Sequence, residues 1–169
     1  MREPLPGTIG LTKIKGFVGL LIRILQILNG DFSRPTHVYV VLDDATVFEA
    51  EPGGARIAPL SEYDDRWREY VDLDLTPDQR FRIVARARTY VGIGYNWTTY
   101  FYLAAYRFHI RPQWLKDRVQ KDSRMICSQA ADKIYADEGV HLFNDGRMPY
   151  DLTPADIGRL PCWKPEGVV

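Results

Sequence analysis

Two runs of residues constrain the fold most. His37 to Leu42 (HVYVVL) is β-branched and aromatic, as is Thr46 to Phe48, and only Asp43-Asp44-Ala45 parts them. Such runs around a short polar break form a β-hairpin. Pro52-Gly53-Gly54 ends the second strand, and Ala55 to Ala58 (ARIA) and Tyr70 to Leu75 (YVDLDL) read as two further short strands. The middle of the chain is therefore expected to be a small antiparallel sheet. Loop length decides what the hairpin presents. With a three-residue loop at Asp43 to Ala45, Tyr39 lies opposite Glu49 and His37 opposite Glu51, so both acids share the histidine's face; a two-residue loop turns both away.

Helices flank this sheet. Thr76-Pro77 is an N-cap followed by proline at the first helical position, and Phe81, Val84, Ala87 and Val91 mark an apolar stripe, so a helix should run to about Tyr90 before Gly92 and Gly94 break it. The stretch from Tyr95 to Trp114 is crowded with aromatic residues, which at helical spacing belong to packing. Cys127 to Asp137 (CSQAADKIYAD) reads as a helix with Gly139 as its C-terminal stop, which places Cys127 in the first turn. Thr153-Pro154 opens one more short turn.

The segment Ile14 to Leu28 (IKGFVGLLIRILQIL) is the most apolar in the chain, with Ile14, Phe17, Val18, Leu21, Leu25 and Leu28 at helical spacing. Leu20, Ile22, Ile24 and Ile27 make the other side apolar too, so burial on both sides is expected; contact with a lipid, an acyl chain or a partner protein is the competing reading. Asn29-Gly30 supplies its stop. A membrane span needs about 20 apolar residues, and this stretch is shorter and carries Arg23 and Gln26. MREPLPGTIG is not a basic start and no small-residue cleavage site follows, so neither a signal peptide nor a span is expected. Membrane contact is not predicted.

The length, 169 residues, suits one domain over 1–169 with a full core. The 22 basic residues balance 22 acidic ones, leaving no net positive field to collect nucleic acid. Two cysteines are too few for a secreted disulfide framework, so Cys127 and Cys162 are read as free thiols.

A helix start stabilises a thiolate through unpaired backbone N–H groups and the positive end of the dipole, which favours Cys127 as a nucleophile. Cys162, between Pro161 and Trp163, has no helix start beside it. A thiol nucleophile needs a base, and the histidines are His37, His109 and His141. His37 opens a strand and is held rigidly there, as base work requires, whereas His109 follows an aromatic segment and His141 lies in a loop. Glu49 and Glu51 are the acids placed to orient it, and spacing alone leaves both open.

Taken together, PGTIGL near the start, HVYVVL followed by VFEAEPGGARI, then YVGIGYNW, ICSQAADKIYADEGVHL and a final LTPADI give a chain that resembles the circularly permuted NlpC-type papain-like cysteine peptidases and amidases, a group that includes relatives of lecithin:retinol acyltransferase. The order is what distinguishes it: histidine first, acid about a dozen residues later, cysteine last. The resemblance implies a permuted papain-like α+β fold, a small antiparallel sheet packed against helices with the nucleophile at a helix N-terminus. It implies Cys127 as nucleophile, His37 as base, Glu49 in FEA as the polar third member, and Tyr95 near the substrate. Tyr39 stands where a small residue is usual, which reshapes the substrate cleft, and Thr8 stands where aspartate is usual.

The activity implied is cysteine-dependent amide hydrolysis, with cell-wall peptides as first substrate and a phage particle as one setting. A thiol acyltransferase or acyl hydrolase is the first alternative, and an inactive module within an assembly, held through the apolar N-terminal helix, the second. No cofactor is expected. No metal is expected either, because the three histidines lack paired ligand spacing with either cysteine. The expected location is the cytoplasm or a virion.

Overall fold

The computed structural model of the chain describes residues 3–14, 19, 23, 24, 27, 34–95, 124–146 and 152–165. Among these, six strands make one antiparallel sheet: β1 (Ile9–Thr12), β2 (His37–Val41), β3 (Thr46–Glu51), β4 (Gly54–Pro59), β5 (Arg68–Val71) and β6 (Cys162–Trp163), in the order β4-β3-β2-β1-β5-β6. Helices α1 (Pro77–Thr89), α2 (Cys127–Asp137) and α3 (Pro154–Ile157) accompany it, and a short 3-10 helix (Leu60–Tyr63) follows β4. The architecture is α+β, with strands from near the start and near the end of the chain in the same sheet.

The β2–β3 hairpin has the three-residue loop. Leu42 N–H donates to Thr46 O at 2.9 Å, and the Asp43 carboxylate accepts from the N–H of Ala45 (3.0 Å) and Thr46 (2.7 Å), which closes the turn. Tyr39 therefore pairs with Glu49. Strand β1 has no counterpart in the sequence reading, because four residues interrupted by a glycine give too short a pattern. It lies between β2 and β5, with Gly10 opposite both Tyr39 and Tyr70.

Gly10 is what makes room for Tyr39. A Cβ there would lie 2.2 Å from Cε2 and Cζ of the Tyr39 ring, and that ring cannot swing away because it stacks on Tyr63 with centroids 4.6 Å apart. Gly10→Ala is expected to destabilise the fold by about 1–3 kcal/mol, the usual cost of overpacking. Gly53→Ala, where a Cβ meets nothing within 4 Å, should leave the urea midpoint unchanged or slightly raised. Equal midpoints for the two variants would refute this account of Gly10.

The alternation of β2 divides the sheet's packing. Val38, Val40 and Leu42 join Ile9, Leu11, Phe48 and Ala50 in the main core with Ile126, Ala130 and Ile134 at the start and along one side of α2. Tyr39 and Val41 join Val47, Ala58, Tyr63 and Tyr70 in a second cluster. Strand β5 ends at Val71, short of the expected Leu75, because its outer partner β6 pairs only Tyr70 and Val71.

Helix α1 carries the expected cap, with Thr76 Oγ1 accepting from Gln79 N–H at 3.2 Å, but it turns a different side inward. Ile83, Ala87 and Tyr90 are buried, whereas Phe81 is 74% and Val91 45% exposed. Both stripes have helical spacing; α1 faces α2, where Tyr90 donates to Asp137 Oδ2 at 2.7 Å and Arg86 Nε to Glu138 Oε1 at 2.7 Å. Those bonds fix which stripe points in. Helix α2 ends as its sequence requires, with Gly139 at φ 75° and Val140 N–H donating to Tyr135 O at 2.9 Å.

In the N-terminal segment residues 19, 23, 24 and 27 are helical, and Ile24 and Ile27 are exposed, so burial on both sides does not hold at these two positions. Ile14 is half-buried against the main core, while the segment's remaining apolar side chains, Leu21 and Leu25 among them, lie outside the described residues, as do the aromatic residues from Trp97 to Trp114 and His109. No helix among the described residues is long and apolar enough to cross a membrane.

Candidate active site

Cys127 is the first residue of α2 and His37 the first of β2, and α2 packs on β2. The helix start is built from its own sequence: Ile126 is extended at φ −87°, its N–H is accepted by Gln129 Oε1 at 3.1 Å, and its C=O receives the first helical bond, from Ala130 N–H at 2.9 Å. Ser128 Oγ donates to Leu152 O at 2.8 Å, and the Tyr135 hydroxyl donates to Gly7 O at 2.5 Å. Between them they tie both ends of α2 to distant segments, so the position of Cys127 is set by the whole fold.

Three residues singled out from the sequence come together here. Glu49 Oε2 lies 2.7 Å from His37 Nε2. An ionised carboxylate has no proton to give, so the hydrogen sits on Nε2 and the other ring nitrogen, Nδ1, is left for the thiol. Nδ1 is buried and has no hydrogen-bond partner among the described residues, and Cys127 acts on the ring through its charge. Cys127 is 2% exposed, His37 0% and Glu49 1%. Burial by itself disfavours a charged imidazole, yet Cys127 and then Glu49 outweigh it and raise the His37 pKa from 6.5 to about 10.

Glu49 is held from two further sides. The Tyr63 hydroxyl donates to Oε2, the same oxygen that His37 meets, and Arg56 Nη2 lies 2.7 Å from Oε1. Burial would push the carboxyl up; hydrogen bonds and charge from His37, the Tyr63 hydroxyl and the Arg56 guanidinium hold it below the usual range. Burial and the adjacent Glu49 charge push the Tyr63 hydroxyl well above its ordinary value. Glu51, half-buried, does not engage His37 in this way; it faces Arg56 Nη2 at 3.4 Å, and Glu62 shares that nitrogen at 2.9 Å.

The remaining candidates do not join this group of side chains. Tyr39 is buried beneath Tyr63, with its hydroxyl 3.4 Å from that of Tyr70, so it supports the site from behind and forms no open wall of a cleft. Tyr95 is buried in the main core, where it bridges to Met125, two residues before Cys127. His141 is exposed. Cys162 donates its thiol to Leu160 O at 3.1 Å, and burial, with Glu69 and Asp72 nearby, pushes its pKa up to about 11. Both cysteines are free thiols.

Tyr63 and Arg56 escaped the sequence reading. A signal for Arg56 existed: counting outward from the turn at Pro52-Gly53 pairs Glu51 with Gly54, Ala50 with Ala55 and Glu49 with Arg56, two opposite charges face to face. Tyr63 has no such signal, because a 3-10 helix carries it back over the sheet.

His37, Glu49 and Glu51 place ligand-type atoms within 4.8 Å of one another. Their arrangement does not fit a metal ion. His37 and Glu49 are turned onto each other at 2.7 Å, and the position a cation would take between the acids is filled by the Arg56 guanidinium.

Among solved structures, the chain is similar to the metalloprotein YiiX from Escherichia coli O157:H7, with a TM-score of 0.61 and 18% sequence identity over 88% of this chain and 78% of that one. The likeness extends to the fold. No family model matches the sequence, and neither does any curated protein.

Proposed function

We propose that the protein is a cysteine hydrolase of the circularly permuted NlpC-type papain-like group, acting on amide bonds with Cys127 as nucleophile, His37 as base and Glu49 as the group that orients it. The observation that carries this reading is the buried imidazole–carboxylate pair, Glu49 Oε2 2.7 Å from His37 Nε2, with Cys127 at the start of the helix that packs on the strand His37 opens. His37 takes the Cys127 proton. The thiolate attacks the carbonyl carbon, and the amine leaves with the proton from His37 as the thioester forms. Water, deprotonated by His37, then attacks the thioester; the acid is released and the proton returns to sulfur. The backbone N–H of Cys127, at a helix start where intrahelical acceptors are lacking, is placed to receive the developing oxyanion.

YiiX is described as a metalloprotein, but a metal is not carried over to this chain, since Arg56 already supplies the positive charge at Glu49. Cell-wall peptides are the first substrate class to test. Incubated with purified peptidoglycan, the protein is expected to release soluble peptide and new amine detectable by mass spectrometry, and Cys127→Ala to release none. Failure to release either, alongside turnover of acyl thioesters or phospholipids, would replace the peptide reading with the acyl one. That second reading is favoured by the exposed Ile24 and Ile27 of the N-terminal segment.

A further inference from the structure

His37, Glu49 and Tyr63 are buried, yet the group they form reaches solvent through Arg56, whose side chain is 45% exposed. Each of the two neighbours of Glu49 outside the Cys127–His37 line has its own oxygen and its own chemistry. Tyr63 gives a neutral hydrogen bond to Oε2, and its ring is kept in place by Tyr39 at 4.6 Å and by the Arg66 guanidinium 4.8 Å from its centroid. Arg56 brings a full charge to Oε1 from the facing strand. Glu51 and Glu62 surround the same guanidinium and hold it at the sheet surface. Hydrogen bonding to a carboxylate and opposite charge beside it both favour its ionised form and fix its direction.

We propose that Tyr63 and Arg56 are positioning residues that hold Glu49 as an oriented carboxylate for His37, a role that rests on the cysteine-hydrolase reading above. They act through Glu49 and touch no reacting atom. Without either one, the carboxylate is free to turn from Nε2–H, and the imidazolium of His37 loses part of the charged acceptor that keeps it protonated. Loss of the imidazolium on raising the pH should therefore set in earlier. The charged and titratable groups meeting Glu49 are His37 from β2, Arg56 from β4 and Tyr63 from the 3-10 helix, with Glu51 and Glu62 acting through Arg56 and Cys127 through His37.

The test is the pH profile of Cys127 alkylation by iodoacetamide, which needs no substrate. The alkaline change in rate, where the imidazolium is lost, is expected to move down by about one pH unit in Tyr63→Phe and in Arg56→Gln, the scale of a single charged or hydrogen-bonding neighbour. Arg56→Lys should recover part of the shift. Arg82→Gln, which removes an exposed pair with Asp78, should match the parent. In a Glu49→Gln background Tyr63→Phe should add nothing, because there is no carboxylate left to hold. Superimposable profiles for the parent, Tyr63→Phe and Arg56→Gln would overturn the proposal, and so would a shift of equal size in the Glu49→Gln background. Arg56 is half-exposed and its variants should fold, so the proposal stays testable even if Tyr63→Phe does not. Failure of the underlying reading looks different: there, Cys127 alkylation in the parent itself would ignore His37→Ala.

Discussion

Iodoacetamide at about pH 6.5, near the ordinary histidine pKa, is expected to alkylate Cys127 on the order of a hundredfold faster than Cys162. The thiolate is the reacting species. Cys162 is pushed up to about 11 by burial and by Glu69 and Asp72, so almost none of it is ionised at that pH. Cys127 begins a helix and engages an imidazole that stays protonated up to about 10. His37→Ala should remove most of the lead, since only the helix end then favours the anion. Burial of Cys127 slows entry of any reagent, so the pH dependence matters more than one rate. The parent's profile should change as the imidazolium is lost near 10. A Cys127 rate that climbs only near the roughly 8.5 of a free thiol, with or without His37, would end the hydrolase reading.

Glu49→Gln is expected to lower turnover by at least about tenfold, while Glu51→Gln changes it little, on the scale seen for groups that orient a catalytic histidine. Both acids come from β3 two residues apart, but Glu49 meets His37 at 2.7 Å whereas Glu51 meets the outer side of Arg56 at 3.4 Å. Glutamine keeps the shape and loses the charge, so the imidazolium formed during acylation loses its counter-ion. The same substitution should alter acid stability. The Glu49 pKa is depressed in the fold, so its contribution is fully present above the unfolded value of 4.5 and is lost as pH falls through the folded value. Urea midpoints of the parent should therefore drop on acidification below about 4.5 more steeply than those of Glu49→Gln. Equal kinetic losses from the two glutamine variants would defeat the assignment of Glu49.

What the sequence determined by itself is local. The β2–β3 hairpin follows from β-branched runs around Asp43, α1 from the Thr76 cap, and α2, with Cys127 in its first turn, from its small residues and the Gly139 stop. These depend on backbone preferences and capping bonds that span a few residues, so they are written where they act. Tertiary structure decided the rest. Alternation puts Glu49 and Glu51 on one face of β3 and cannot rank them; Arg56 from β4 and Tyr63 from the 3-10 helix do so by converging on Glu49. Two stripes of α1 have helical spacing, and contact with α2 selects Ile83, Ala87 and Tyr90 over Phe81 and Val91. The bulk of Tyr39 is absorbed by Gly10 on β1, a strand too short to announce itself. In each case the deciding atoms lie on another element, and a one-dimensional pattern carries the period of an element but not the identity of the neighbour it will meet.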